Sequence, residues 1–470
     1  MVEVKNRDEL LSGYEGIERE LRECAIRIAE HAVRMADPER LVLDYFESLK
    51  NAGDKFTVRT KDGREFEFRG VYVVAIGKAA YPMAKAVNEI FGERIRDGVV
   101  VTKYGYSRSD RIGVMEVIEA RHPVPDENSL RGAERGLEIA GKVGEEDLLI
   151  LLVSGGGSAL FAMPENGITL EDKIETYRLL LKSGARIQEV NTVRKHISAV
   201  KGGKFVKRVR GKVLSLIISD VVGDNLEAIA SGISVKDPTT FEDAVKILKN
   251  YGIWDKIPDS VRSYLERGLK GEVEETLKED LKNVVNVLIC SSSKVCSFAA
   301  EKAEELGFNP VIMSSVLEGE AKDAGIVIAS IALEMRNRKS EKMAMIFGGE
   351  TTVTFCEAGN EMKGEKERKE GKGGPNQELA LGFARKVSGS CGVCLIAIDT
   401  DGTDGPTDAA GGLSSGDTWG RIEKAGMDPL RELRNHNAYE ALKAGNALVI
   451  TGPTDTNVNS LVIVLVNPEL

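Results

Sequence analysis

The segment from Leu148 to Ser158 constrains the fold of this chain most strongly. It reads Leu-Leu-Ile-Leu-Leu-Val and then Ser-Gly-Gly-Gly-Ser. The branched apolar run predicts a strand that is buried on both faces, as in a parallel sheet. The glycine turn that follows, Ser154–Ser158, then lies at the carboxyl end of a strand, where open α/β sheets bind ligands. Its main-chain N–H groups can approach a phosphate or carboxylate closely; a tight turn without a ligand is the alternative.

Strands and helices alternate around this segment. Val71–Ile76 predicts another buried strand, followed by a helix, and Val213–Ser219 predicts a third. This alternation is typical of a doubly wound parallel sheet. A further α/β stretch begins at Val284. We therefore expect an α/β protein of two domains: residues 1–283, Rossmann-like with N-terminal helices and connective helices at its end, and residues 284–470, a smaller α/β domain.

Charge and composition exclude several classes of protein. Lys and Arg number 64 and Asp and Glu 74, which gives a net charge of −10. A general nucleic-acid binder needs a basic face, so no nucleic-acid partner is expected. The apolar runs are strand-sized, so no membrane span is expected. The first eight residues lack the apolar core of a signal peptide, which favours the cytoplasm. A homo-oligomer is compatible with all of this.

Two cationic side chains are candidates for catalysis. Lys78 follows the strand Val71–Ile76 at a predicted helix start, where an anion would also meet the positive end of the helix. Arg194 offers a planar fork that suits a carboxylate or phosphate. A solvated surface lysine is the alternative for Lys78. Helical spacing cannot place Arg194, Lys201 and Lys204 on one face, so we expect some of them to face solvent.

Carboxylates follow two other predicted strands. Asp220 closes one strand and Asp224 follows it, while Asp401 and Asp404 lie in the loop Asp-Thr-Asp-Gly-Thr-Asp-Gly after another. Carboxylates at strand ends can hold Mg²⁺ or accept a proton in phosphoryl transfer. Capping of a turn or helix is the alternative for the first pair. Mutual repulsion in the second loop favours a cation or a cationic substrate group there.

Two nucleotide-binding signatures are incomplete. A Walker A loop ending at Lys78 would need glycine at Tyr72 and Ser or Thr at Ala79. A dinucleotide fingerprint on the glycine turn would need glycine or alanine at Leu160. Both gaps weigh against a P-loop enzyme and against an NAD-dependent one.

Short blocks that include these candidate residues are spread along nearly the whole chain. They are Ala75–Ala80, His122–Asp126, Val153–Ser158, Asn191–His196, Ser219–Asp224, Ala230–Gly232, Phe347–Thr352, Gly373–Glu378 and Asp399–Gly405. In this order they resemble the glycerate 2-kinase family, whose C-terminal region is called the MOFRL domain and whose members have often been labelled hydroxypyruvate reductases.

The resemblance implies phosphorylation of D-glycerate at its 2-hydroxyl by ATP, with Mg²⁺, in a cleft between the two domains. The important lysine of the family falls on Lys78, and the residues themselves make Asp220 and Arg194 further catalytic candidates. The substrate- and phosphate-binding candidates are Ser154, Gly155, Gly156, Gly157, Ser158, Asn191, Glu350, Asn376, Gln377, Glu378 and Thr403. The metal candidates are Asp220, Asp224, Asp401 and Asp404.

One departure from the family pattern bears on the site. Many relatives carry arginine where this chain has Pro375, and Lys372, in a charged segment predicted to be a mobile loop, is a candidate replacement. Three other functions stay open from the residues alone: an NAD(P)H-dependent hydroxypyruvate reductase, a glycerate 3-kinase, and a non-catalytic sugar-acid binding protein.

Overall fold

The computed structural model describes residues 2–50, 58–59, 65–66, 68–338, 340–355 and 371–469. It divides into two compact units. The first unit is residues 38–289, and the second is residues 1–37 together with 290–470. Among the described residues, no helix is long and apolar enough to cross a membrane. Most of the charged segment predicted as a loop, residues 361–370, lies outside the described residues.

The helices and strands are numbered in chain order. The helices are α1 (Arg7–Leu11), α2 (Gly16–Met35), α3 (Pro38–Lys50), α4 (Ala80–Phe91), α5 (Glu127–Lys142), α6 (Gly157–Leu160), α7 (Leu170–Lys182), α8 (Ile187–His196), α9 (Lys204–Lys207), α10 (Phe241–Asn250), α11 (Asp259–Leu269), α12 (Ser292–Glu305), α13 (Ala321–Arg338), α14 (Pro375–Val387), α15 (Thr418–Lys424), α16 (Pro429–Arg434) and α17 (Ala438–Ala444). The strands are β1 (Val58–Arg59), β2 (Glu65–Phe66), β3 (Val71–Ile76), β4 (Ile95–Lys103), β5 (Arg111–Ile112), β6 (Met115–Ala120), β7 (Leu148–Val153), β8 (Lys212–Ile218), β9 (Val284–Cys290), β10 (Asn309–Leu317), β11 (Met343–Gly349), β12 (Val393–Asp399), β13 (Gly411–Ser415), β14 (Leu448–Val449) and β15 (Ser460–Val466).

The sheet of the first unit has the strand order β5-β6-β4-β3-β7-β8-β9. Strand β3 pairs in parallel with β4 on one side and with β7 on the other. Every residue of β3 and β7 is buried, as their continuous apolar sequence predicts. The chain therefore reverses its direction of winding between β3 and β7. This switch point is where a doubly wound sheet leaves a crevice for a ligand.

Aromatic packing supports the turn after β7. Phe161 directly follows the short helix α6, and its ring meets the ring of Phe205 edge to face at 5.5 Å between centroids. Both side chains are fully buried. Gly136 of α5 allows this close approach, because a Cβ atom there would lie 2.6 Å from the Phe161 ring. The glycine turn thus stands on a rigid core.

The sheet of the second unit has the order β10-β11-β15-β12-β13-β14. Strands β11 and β12 both run antiparallel to β15, and therefore parallel to each other. Gly349 at the end of β11 and Asp399 at the end of β12 both lie opposite Ser460. The residues that follow β11 and β12 therefore emerge at the same edge of this sheet.

The compact units differ from the predicted division at residue 283. Helix α2, expected with the first domain, packs on α12 and β12 of the second unit. Its Arg22 is fully buried and donates to the Leu10 carbonyl and to the Ser415 Oγ, both at 2.8 Å. Strand β9, expected to open the second domain, joins the first sheet beside β8. An amphipathic helix and an edge strand carry no local signal of which sheet they join.

Candidate active site

The glycine turn is tied to the turn after β3. The Lys78 N–H donates to the Gly155 carbonyl at 2.8 Å, and the Ala79 N–H donates to the Ser154 Oγ at 3.0 Å. The Ser154 hydroxyl is buried and donates in turn to the Ile76 carbonyl at 3.4 Å. Ser154 therefore joins the two turns. Its side chain has a structural role, and the turn presents its backbone to the switch point.

Glycine at positions 155 and 156 allows two side chains to pack directly against the turn. A Cβ atom at Gly155 would overlap the carboxylate of Asp220. Gly156 has φ of +84°, and a Cβ atom there would lie 3.1 Å from the His122 ring. Only residues without a side chain fit between these two groups. The structure thus brings the predicted Asp220 directly against the glycine turn.

The far end of the glycine turn is linked to Arg194 through Ser231. Ser158 Oγ lies 2.8 Å from Ser231 Oγ, and Arg194 Nη1 donates to Ser231 Oγ at 3.4 Å and to Asn191 Oδ1 at 3.1 Å. The guanidinium lies 4.3 Å from the centre of the Tyr177 ring. These contacts fix the orientation of the guanidinium beside Ser158. The predicted residues Ser158, Asn191 and Arg194 therefore form one cluster.

Two buried lysines that the sequence did not single out for the site complete this cluster. Lys201 is fully buried, and its ammonium donates to the Gly157 carbonyl at 3.1 Å. Lys173 of α7 is 6% exposed, and its ammonium donates to the Met163 carbonyl at 3.4 Å. Burial, with Arg194 and Lys204 nearby, lowers the pKa of Lys173 to about 7. Burial, with Lys173 and Arg194 nearby, holds the pKa of Lys201 well below its usual range.

The expectation that some of Arg194, Lys201 and Lys204 face solvent is wrong. Lys201 is fully buried, Lys204 is 8% exposed and Arg194 is half-buried. Helix α8 ends at His196 and α9 begins at Lys204, so one helical spacing does not relate these residues. In the sequence, only the high density of cationic residues after Asn191 indicates that Arg194, Lys201 and Lys204 belong to a binding site.

A cavity of about 130 Å³ opens beside Ser158 and Arg194. Its polar walls include His122, Lys173 and Tyr177. Burial, with Lys78 and Lys103 nearby, lowers the pKa of His122 to about 4, so the imidazole is neutral at pH 7. The remaining walls are mostly apolar, formed by Pro123, Pro125, Ala159, Ala162, Ile174, Leu180, Val190, Val193 and Ile197.

Asp224 has a backbone conformation and, among the described residues, an unpaired carboxylate oxygen that are typical of a ligand-binding residue. Its φ is +55°, which is uncommon for a residue with a side chain. Its Oδ1 is buried and has no hydrogen-bond partner in the part of the chain that the structure describes. A buried carboxylate oxygen without a partner is costly, so a cation or a donor from a ligand would satisfy it.

The second unit gathers carboxylates at the sheet edge where β11 and β12 end. Asn459 Nδ2 donates to Glu350 Oε2 at 3.1 Å. Burial raises the pKa of Asp399 well above its usual range, and the neighbouring carboxylates of Asp401, Asp404 and Glu350 raise it further. Asp399 belongs to this cluster although the sequence-based candidates omitted it.

Asp404 caps helix α14. Its carboxylate accepts the N–H of Asn376 at 3.0 Å, the N–H of Gln377 at 2.8 Å, and Asn376 Nδ2 at 3.1 Å. Pro375 fits the first position of this helix because its missing N–H would have no partner there. Burial nonetheless raises the pKa of Asp404 to about 6. These three donors bind the Asp404 carboxylate, which was predicted from the sequence to be a metal ligand.

The other predicted residues of this loop have local partners. Asp401 Oδ1 accepts the Thr403 N–H at 2.9 Å and the Thr403 Oγ1 at 2.8 Å, and Thr403 is exposed. Lys372, the candidate replacement for arginine, places its ammonium 3.7 Å from the centre of the Tyr439 ring. The Lys372 ammonium therefore packs against the Tyr439 ring in a cation–π contact.

Several buried oxygen atoms near the α14 cap lack partners. Glu378 Oε1 lies 2.8 Å from His436 Nδ1, whereas its Oε2 has no partner among the described residues. The other buried oxygens of this kind are Asn376 Oδ1, Gln377 Oε1, Asn459 Oδ1 and Thr351 Oγ1. No three His, Cys, Asp or Glu residues within the described ranges converge as ligands of one metal ion.

Comparison with known proteins agrees with this architecture. Residues 24–266 match a domain of unknown function, DUF4147, and residues 343–460 match the MOFRL family. A glycerate 2-kinase of Pyrococcus horikoshii is 54% identical, over 96% of this chain and 99% of that protein. This chain belongs to the MOFRL-type glycerate 2-kinase family.

A solved structure and a third relative bear on the family. The crystal structure of a glycerate kinase from Thermotoga maritima superimposes with a TM-score of 0.82 at 44% identity, over 95% of this chain and 99% of that one. A putative hydroxypyruvate reductase of Agrobacterium vitis is 41% identical over 84% of this chain and 86% of that protein. Relatives of this chain therefore carry two functional labels, as expected from the resemblance.

Proposed function

We propose that this protein transfers the γ-phosphoryl group of ATP to the 2-hydroxyl of D-glycerate, giving 2-phosphoglycerate and ADP. One structural observation carries the proposal. At the switch point of the first sheet, the glycine turn lies between a carboxylate, Asp220, and a set of basic side chains that includes Arg194. The relative from Pyrococcus horikoshii, which matches over nearly the full chain, is named glycerate 2-kinase.

Each step of the phosphoryl transfer is assigned to a residue of the site. The 2-hydroxyl oxygen bonds to the γ-phosphorus while the bond to the bridging oxygen of ADP breaks. Asp220 takes the hydroxyl proton, since its carboxylate lies against the glycine turn. Lys78 stabilises the charge on the transferring phosphoryl group, which spreads over its oxygens in the transition state. Positioning and charge stabilisation suffice, so no nucleophilic side chain is needed.

Mg²⁺ would enter with ATP, because this ion is held by one or two carboxylates together with substrate phosphates. Asp224 fits this requirement, because its buried Oδ1 has no hydrogen-bond partner among the described residues. Asp404 does not fit, because three N–H groups already occupy its carboxylate. When bound, the ion neutralises phosphate charge.

ADP formation tests the proposal. Purified protein with ATP and Mg²⁺ should release ADP in proportion to added D-glycerate, and should release little without it. The same protein should not oxidise NADH in the presence of hydroxypyruvate, since the dinucleotide fingerprint fails at Leu160. NADH oxidation without glycerate-dependent ADP release would instead support the reductase that some relatives are named for.

A further inference from the structure

The basic cluster beside the glycine turn lacks a counterion in the part of the chain that the structure describes. Arg194 lowers the proton affinity of Lys173 and of Lys201, Lys173 also lowers that of Lys201, and both lysines are at least nine-tenths buried. Across the described ranges, no Asp or Glu oxygen lies within 4 Å of their charged atoms. Glu165 is the acidic group that acts on Lys173, and it pairs with Lys204 at 2.6 Å. Buried charges without a partner are costly, so the cluster is built for an anion.

The chemistry of the cavity selects the kind of anion. Lys173 and Arg194 both line it, and none of its lining residues is Asp or Glu. A magnesium–polyphosphate needs carboxylates near its metal ion, and the candidates Asp220 and Asp224 are not among the lining residues. The small volume of about 130 Å³ and the apolar walls also suit a short organic acid better than a triphosphate.

We infer that Lys173, with Arg194 and Lys201, forms the subsite for the carboxylate of the acceptor substrate. The fixed guanidinium of Arg194 offers a planar fork to a carboxylate, and Lys173 supplies a second charge from the neighbouring wall. Lys201 acts through the Gly157 carbonyl and is a positioning residue. The inference rests on the proposed function for the identity of the acid, D-glycerate.

Lys173→Met tests this subsite, because the substitution keeps the length of the side chain and removes its charge. Binding is measured by calorimetry, separately for D-glycerate and for ATP with Mg²⁺. The expected Kd for D-glycerate rises about 10- to 100-fold, the loss typical of a hydrogen bond to a charged group. The expected Kd for ATP stays within about twofold, because the nucleotide lies outside this subsite.

Lys182→Met is the matched control, since Lys182 lies on the same helix and is exposed. It should leave both Kd values unchanged. Ligand-free Lys173→Met should melt no lower than the wild type, because it removes a buried charge that has no counterion. Lys173→Gln, which also removes the charge, serves as a second variant if the methionine variant does not fold.

Three outcomes would overturn the inference: an unchanged Kd for D-glycerate, a weakened Kd for ATP alone, or a marked fall in the ligand-free melting temperature of both Lys173 variants. Failure of the proposed function is distinguishable. If the wild type does not bind D-glycerate, melting with D-lactate and acetate tests the subsite alone. The subsite stands if these monocarboxylates stabilise the wild type and not Lys173→Met, and it falls if they stabilise both or neither.

Discussion

Asp404→Ala decides between a helix cap and a metal ligand at the start of α14. The substitution removes the acceptor of two buried main-chain N–H groups and of Asn376 Nδ2. Loss of a cap costs about 0.5–2 kcal/mol, and a buried donor without a partner costs about 1–3 kcal/mol. Because these losses overlap, we expect the second unit to lose about 3 kcal/mol of its free energy of unfolding.

The corresponding fall in melting temperature is about 6–12 °C for a unit of this size. Asp408→Ala is the control, because Asp408 is an exposed carboxylate of the same loop that accepts a hydrogen bond from the Tyr439 hydroxyl. Thermal melts of both variants should separate them clearly. The dependence of the reaction rate on Mg²⁺ should match the wild type. A variant of unchanged stability that needs about tenfold more Mg²⁺ would refute the capping role.

Four further substitutions or conditions test other parts of the molecule. Lys78→Ala should lower kcat/KM at least about 100-fold, as loss of a transition-state cation does, and a value within about threefold of wild type would contradict its role. Asp224→Asn should raise the Mg²⁺ concentration for half-maximal ADP release about tenfold, whereas an unchanged Mg²⁺ titration would exclude it as a ligand. Lys195→Met should cost about 3–5 kcal/mol in urea unfolding, because its buried partner Asp237, 3.2 Å away, loses its counterion; a cost below about 1 kcal/mol would contradict this. The affinity for D-glycerate should fall as the pH rises through about 7, because free Lys173 then loses its proton, and calorimetry at pH 8 should detect proton uptake on binding; a flat profile between pH 6 and 9 would contradict it.

Much of the first sheet follows from local sequence. The apolar runs at Val71–Ile76 and Leu148–Val153 form the strands expected of them, and the glycine turn lies at the predicted strand end. Asp220 and the glycine turn meet there because β7 and β8 are parallel neighbours, which present their carboxyl ends at the same edge. Strand periodicity and turn chemistry are encoded within a few residues, so these features were predictable.

Other features depend on contacts between distant segments. Lys173 lies on α7 and Lys201 follows α8, and both are buried only when these segments of the folded unit pack together. Asp404 is 28 residues from the Asn376 N–H that it accepts, so its capping role could not be distinguished from metal binding by spacing. Helix α2 is amphipathic and gives no sign that its buried Arg22 belongs to the second unit.

Phosphorus NMR tests the central claim most directly. Purified protein is incubated with ATP, Mg²⁺ and D-glycerate, and the products are resolved by their phosphorus resonances. We predict signals of ADP and 2-phosphoglycerate, with the second absent when glycerate is omitted. A 3-phosphoglycerate signal would contradict transfer to the 2-hydroxyl, and unchanged ATP throughout would contradict the kinase itself.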